Sequence, residues 1–241
     1  MIKKSNALGF LAITIILIIF LLAICMAVTL TKNEKTKQTA IQNRYTVILD
    51  AGHGGEDGGA TSDSGIVEKD LNLSITMKIG KYLEKKGISV VYTRTEDILL
   101  YDKNQNYHGR KKILDLAARL NKARKYDNAV FVSIHMNSFP QKQYSGLQVY
   151  YSPHHPLSHD LAFSIQNNAK NQLDANNQRK IKKADSSIYL LDRLDKPAVL
   201  IECGFLSNDA EAERLANDEY QNKLSAIIAE SIMESINASD Q

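Results

Sequence analysis

Cysteine is scarce in this chain: of 241 residues only Cys25 and Cys203 carry a thiol, and Cys25 falls inside an apolar stretch. No disulfide can form within the presumed domain, so a fold exposed to an oxidising compartment would rest on packing alone. A large excess of one charge is also missing. The 30 basic and 27 acidic residues leave a net +3, and the basic ones are scattered rather than gathered with aromatics, which argues against nucleic-acid binding. The one dense basic run, Arg179, Lys180, Lys182 and Lys183, reads first as a solvated loop and second as a contact for an anionic polymer. No internal repeat is visible. A Gly-x-Ser-x-Gly elbow is absent, which removes the usual serine-hydrolase signature. The glycine cluster after Asp50 has Asp57 where a dinucleotide fingerprint needs its third glycine, and it lacks the glycine-lysine ending of a Walker loop.

What is present begins with an apolar run. From Ala7 to Leu30 the only interruptions are Gly9, Thr14 and Thr29, and no charge occurs. A helix of about 20 such residues spans a bilayer core. Lys3 and Lys4 precede the run and favour a cytoplasmic N-terminus, although Lys32, Lys35 and Lys37 follow it. A cleaved signal peptide has a shorter apolar region, about 7 to 15 residues, and a small-x-small site that is not convincing here. A lipoprotein signal at Cys25 is disfavoured by Ile24. Residues 1–30 therefore read as a membrane anchor or signal, with the uncleaved anchor preferred, and residues 31–44 as a polar linker. The remaining 45–241 leave room for one catalytic domain of roughly 190 to 200 residues.

Within that domain, short β-branched runs at Tyr45 to Asp50, Ile88 to Tyr92, Ala129 to Ile134, Gly146 to Tyr151 and Pro197 to Ile201 predict strands. Helical spacing at Leu71, Ile75, Ile79 and Leu83, ended by Gly87, and at Ile113, Leu116 and Leu120, predicts helices between them. Further helices are expected over Leu157 to Leu173 and Asp209 to Ile236, the last with Ser207 as a candidate cap. The alternation predicts an α/β fold, a single domain with a largely parallel twisted sheet flanked by helices. On this plan His53 follows the first strand, His135 ends the third and Glu202 ends the last. Strand carboxyl ends are where open α/β sheets build their sites.

The loop Asp50-Ala-Gly-His-Gly-Gly-Glu-Asp-Gly-Gly59 surrounds one imidazole with glycines, which let backbone pass close to a ligand or metal. Glu68 stands in a first helical turn, where the plain reading is a favourable interaction with the helix dipole. A lone His135 at a strand end is ordinarily structural. Two histidines and a carboxylate together, however, supply the ligands of a catalytic zinc ion with its fourth position open to water. Glu202 follows four apolar residues, so it either pairs structurally or serves as a base that takes a proton from water activated by the metal. We assign it the second role. Cys203 is a rival nucleophile, but an extended backbone turns it away from the face of Glu202, and a small buried hydrophobe is its commoner role.

These residues sit in motifs that resemble the zinc-dependent N-acetylmuramoyl-L-alanine amidases of bacterial cell walls: Asp-Ala-Gly-His-Gly-Gly at 50 to 55, Glu68 before its helix, Ser-Ile-His-Met-Asn at 133 to 137, and Leu-Ile-Glu-Cys-Gly-Phe-Leu-Ser-Asn at 200 to 208. The likeness runs from Tyr45 to Ile236. It implies one zinc ion on His53, Glu68 and His135, Glu202 as the catalytic glutamate, and peptidoglycan as substrate. The single anchor, the lack of wall-binding repeats and the segment Tyr101 to Arg110 most resemble the germination-specific amidases of spore formers. That resemblance implies action on spore cortex ahead of muramic-δ-lactam formation, at the forespore membrane facing the cortex. Gly58 and Met136 depart from the family's usual proline and alanine without removing a ligand. The segment Pro153 to Ser186 carries no acidic plug, so regulation would come from a protein partner of unknown identity. A non-catalytic peptidoglycan-binding or regulatory protein with the same fold is the alternative.

Overall fold

The structure is a computed structural model that describes residues 13, 15–32, 45–102 and 109–238. Most of the polar linker and of the Tyr101 to Arg110 segment lie outside the described residues. The chain divides into two units, residues 1–41 and 42–241. The first contains helix α1 (Ile15–Lys32), 18 residues long, apolar, with none of its side chains buried. By length and composition it could cross a bilayer.

The second unit alternates strands and helices in the order β1 (Thr46–Ala51), α2 (Glu68–Lys85), β2 (Ser89–Tyr92), α3 (Lys111–Arg124), β3 (Ala129–Asn137), β4 (Gln148–Tyr151), α4 (Pro156–Gln172), β5 (Lys182–Lys183), α5 (Tyr189–Arg193), β6 (Ala198–Phe205), α6 (Asp209–Ala216) and α7 (Asp218–Ala238). The strands form one sheet ordered β2-β1-β3-β6-β4-β5. β1, β2, β3 and β6 run parallel, and β4 with β5 runs against them. The sheet is thus largely parallel, with a reversed edge.

Strand β1 is apolar on both faces because both are covered. Val47, Ile48 and Leu49 have no exposed surface. On one face α2 turns Leu71, Ile75, Ile79 and Leu83 inward, each four residues after the last, and packs beside α7, itself against α4. Burying each of those side chains contributes about 1.5–3 kcal/mol. On the other face Leu120 and Ala123 of α3 and Leu190 and Leu191 of α5 pack in one cluster with Ile48, Phe131 and Ala198 of the sheet. Here α3 departs from its apolar spacing. Ile113, 54% exposed, faces solvent, while Asp115 and Arg119 are buried.

Several boundaries move. The helix expected over Asp209 to Ile236 is two helices, because Asn217 is extended (φ −76°, ψ 127°) and its side chain accepts a hydrogen bond from the Tyr220 N–H. Asparagine competes well for such helix-start positions. The cap of α6 is Asn208, accepting from the Glu211 N–H, whereas Ser207 Oγ accepts from the Phe139 N–H. β3 and β6 continue past His135 and Glu202 to Asn137 and Phe205, with a register shift between His135 and Asn137. Neither residue therefore ends its strand. The short β5 falls inside the basic run that reads as loop, and α5 has no counterpart among the expected elements.

From β1 the chain steps to β2 on one side and then, through α3, to β3 on the other. The crevice where order reverses lies between the carboxyl ends of β1 and β3, which is where such sheets place ligands.

Candidate active site

His53 leaves β1 with φ +60°, the single non-glycine residue at positive φ among the described residues. Two buried arginines hold that turn. Arg119, on α3, donates to the carbonyls of Ala51 (2.6 Å) and His53 (2.6 Å) and pairs with Asp50 (2.7 Å) and Asp115 (2.7 Å). Arg94, just after β2, donates to the carbonyls of Ala51 (2.9 Å), Gly52 (3.0 Å) and Lys69 (2.9 Å). Asp50 also accepts from Thr93 (2.7 Å) and Ser133 (2.6 Å). Burial pushes its carboxyl up, but the Arg119 charge and the three hydrogen-bond donors outweigh this and hold it below the usual range.

The strained turn aims His53 at Glu68, the first residue of α2. His53 Nε2 lies 3.2 Å from Glu68 Oε1, and His135 Nδ1 lies 3.0 Å from the same oxygen. One ligand atom from each of the three residues falls within 4.8 Å of the other two. Glu68 is held from behind by the N–H groups of Ala60 (2.8 Å) and Met136 (3.1 Å). Burial raises its carboxyl's pKa, yet the hydrogen bonds and charges of His135 and His53 prevail and keep it far below the carboxylate range. His53 Nδ1 lies 2.9 Å from Asp57. Burial lowers the imidazole's pKa, and Glu68 and Asp57 more than restore it, so the net shift is upward. A carboxylate behind a histidine is the usual arrangement for orienting a metal-ligating ring.

The glycines permit this crowding. A Cβ on Gly52 would lie 2.2 Å from the His135 ring, and one on Gly59 (φ +68°) would lie 2.4 Å from Glu68 Oε2. Side chains at either position would evict the group they touch.

Glu202 lies opposite His135 in the β3–β6 register, on the sheet face covered by α3 and α5. Its Oε2 is inaccessible to solvent and has no hydrogen-bond partner among the described residues. Burial is the largest influence and pushes the carboxyl up to about 7. Next in the same row stands Gln148 of β4, which the sequence reading does not pick out. A cavity of about 300 Å³ opens over His53, His135 and Glu202, walled by Arg119, Tyr189 and Leu191. Cys203 alternates to the far face of β6, is buried, and has only the Ile201 carbonyl 3.9 Å away. Burial pushes its thiol well up, which disfavours the thiolate a nucleophile needs.

All four residues singled out from the sequence thus meet at one edge. Asp57, Arg94, Arg119 and Gln148 join them without a sequence signal, since isolated charged or amide residues in polar segments look alike. An α/β sheet that gathers two imidazoles and two carboxylates at its switch point has the layout of a hydrolase with a candidate metal centre.

Comparison with known proteins narrows that class. Residues 47–234 match the N-acetylmuramoyl-L-alanine amidase family, and the chain belongs to it. A germination-specific N-acetylmuramoyl-L-alanine amidase of Bacillus subtilis is 35% identical over 187 residues, 78% of each chain. The solved CwlD amidase from Clostridioides difficile, in complex with the GerS lipoprotein, is 39% identical with a TM-score of 0.76, covering 80% of this chain and 98% of that one. The amidase AmiC2 of Nostoc punctiforme is 30% identical with a TM-score of 0.67, over 80% and 97% of the respective chains.

Proposed function

We propose that this amidase is zinc-dependent and cuts the bond between N-acetylmuramic acid and L-alanine in peptidoglycan, with His53, Glu68 and His135 as metal ligands and Glu202 as the catalytic acid–base. The observation that carries this reading is the convergence of three ligand atoms within 4.8 Å beside a carboxylate oxygen, Glu202 Oε2, that has no other partner. Two histidines and one carboxylate are a zinc donor set that leaves a position free, so the residues fit the ion. Zinc held there supplies Lewis acidity toward a carbonyl oxygen and a water molecule. Glu202, facing the cluster from β6, takes the proton of the attacking water and returns it to the departing alanine amine. Asp57 keeps the His53 ring in place, and the wall formed by Tyr189 and Leu191 limits water around the scissile bond.

The similarity to a germination-specific relative supports spore cortex as the substrate and muramic-δ-lactam formation as the subsequent step. The apolar α1 supports an uncleaved anchor holding the catalytic unit outside the membrane, at the forespore surface, through the linker over residues 31–44. The relative solved with a lipoprotein supports a protein partner as regulator.

The test is mass spectrometry of peptidoglycan fragments after digestion, with and without a chelator, alongside bound-metal analysis. Chelation should abolish release of peptides with a new alanine amino terminus. Glu202→Ala should retain zinc and lose release by about 10²-fold or more, and Glu68→Ala should lose zinc. Normal release by Glu202→Ala would overturn the assignment.

A further inference from the structure

The basic run that reads as a solvated loop does more than face water. Arg179 lies with its guanidinium 4.3 Å from the Phe205 ring centre and 5.9 Å from that of Tyr144. Its Nε donates to the Ser145 carbonyl (2.7 Å) and its Nη1 to Gln148 Oε1 (3.2 Å). All of these partners are neutral. Among the described residues neither Arg179 nor Lys182 has a carboxylate within 4.0 Å, and Lys182 Nζ sits 5.8 Å from the Tyr150 ring. Glu211 and Arg179 feel each other's charge, but the nearby acids take their hydrogen bonds elsewhere. Glu211 accepts from the N–H groups of Gly146 (2.9 Å) and Phe205 (2.8 Å), and Asp185 accepts from the Ser187 N–H (2.9 Å). Arg179 is thus oriented by stacking and neutral acceptors, with Nη2 unused by any described residue, which is the preparation that planar recognition of a carboxylate requires.

Position gives the preparation its meaning. His135, Glu202 and Gln148 form one row across β3, β6 and β4. Gln148 therefore stands about 5 Å from Glu202, one strand spacing away, and Arg179 is a single hydrogen bond further on. A second cavity, of about 270 Å³, opens there, lined by Phe139, Tyr144, Gln148, Arg179, Lys182 and Phe205. The cavity over Glu202 continues instead toward Leu116 and Leu191, and its cations Lys112 and Arg119 are already paired, with Asp57 and with Asp50 and Asp115. The two sides of the scissile bond differ in the same way: N-acetylated sugar is neutral, and peptide bears free carboxylates. A carboxylate one residue past the scissile nitrogen lies roughly 6–7 Å from it in an extended chain, within reach of this row.

Resting on the amidase reading above, we propose that Arg179 and Lys182 form an anion subsite that takes a carboxylate on the peptide side of the scissile bond. The subsite sets both the direction in which substrate lies across the sheet and a preference for peptides whose carboxylates are free.

Two muramoyl-peptides, one with free carboxylates and one with the same carboxylates amidated, test this on the full chain supplied with zinc. The wild type should show kcat/KM about tenfold higher for the free acid, mainly through KM. Arg179→Gln and Lys182→Gln should each bring that ratio toward one, and Arg179→Lys should keep part of it. Lys182→Gln guards against misfolding, because the Lys182 side chain makes no hydrogen bond within the described fold. Calorimetric titration with the corresponding free and amidated peptides reads the subsite independently of hydrolysis. If the wild type cleaves neither substrate but binds the free peptide in an Arg179-dependent way, the amidase reading fails and the subsite stands. If the wild type treats both substrates and both peptides alike, or Arg179→Gln keeps the wild-type preference, the subsite is overturned while the amidase reading survives.

Discussion

At the scale of single residues, the smallest side chains carry the tightest geometric demand. Gly52 is buried against the His135 imidazole so closely that a methyl group would sit 2.2 Å from two ring atoms. The ring would have to leave its place 3.0 Å from Glu68. Gly52→Ala should therefore lower metal affinity by about 10- to 100-fold, as displaced support of a ligand ordinarily does. Competition against a chromogenic chelator measures this, and an unchanged dissociation constant would show that His135 is not a ligand. His135 and Glu202 are legible in the sequence because a histidine or glutamate closing an apolar run is conspicuous, His53 because glycines surround it, and Glu68 only in their company. Asp57 and Gln148 are not. Their importance comes from register and from the turn at His53, which no local pattern records.

At the scale of elements, Asp50 is the joint. Its carboxylate accepts from Thr93 beyond β2, Ser133 in β3 and Arg119 in α3, so one side chain ties three elements to β1. Removing one partner of a buried ion pair costs about 3–5 kcal/mol, and Asp50→Asn should fall near the lower figure because Arg119 keeps Asp115. The sign of the pH dependence follows from the depressed native pKa. A carboxyl lowered on folding stabilises the native state above its unfolded value of about 3.9, and that contribution fades as pH falls through this value toward the native one. Urea denaturation should thus show a large difference between wild type and Asp50→Asn at pH 7 that narrows below pH 4. A difference that stays constant with pH would mean that the Asp50 charge does not matter. The sequence shows why α3 is difficult to read. Its apolar spacing marks Ile113, but the face that packs inward carries Asp115 and Arg119, whose burial makes sense only once Asp50 and the His53 carbonyl are opposite them. Similarly, apolar spacing runs through Asn217 without a break, and only its extended backbone divides α6 from α7.

At the scale of the whole molecule, the sequence conveys the class of fold more readily than its edge. Five apolar runs predict a largely parallel sheet, and four of them, β1, β2, β3 and β6, do run parallel. The reversal of β4 and β5 depends on long-range pairing, and β5 is two lysines that resemble any polar loop. The division between residues 1–41 and 42–241 carries its own consequence. The catalytic unit places Val47, Ile75, Phe131 and Ile201 in fully buried positions. Helix α1, by contrast, has no side chain buried. A chain beginning at Gln42 should therefore keep the full chain's thermal midpoint to within about 2 °C, less than the shift expected from 1 kcal/mol in a domain of this size. It should also keep the stoichiometry of bound metal. What it should lose is partition into vesicles, since about 20 apolar residues provide the means of insertion. Flotation of both forms with liposomes, followed by calorimetry and metal analysis, separates these properties. A truncated protein that still floats would place the membrane contact in the catalytic unit, and one that melts far lower would show that α1 contributes to that unit's stability.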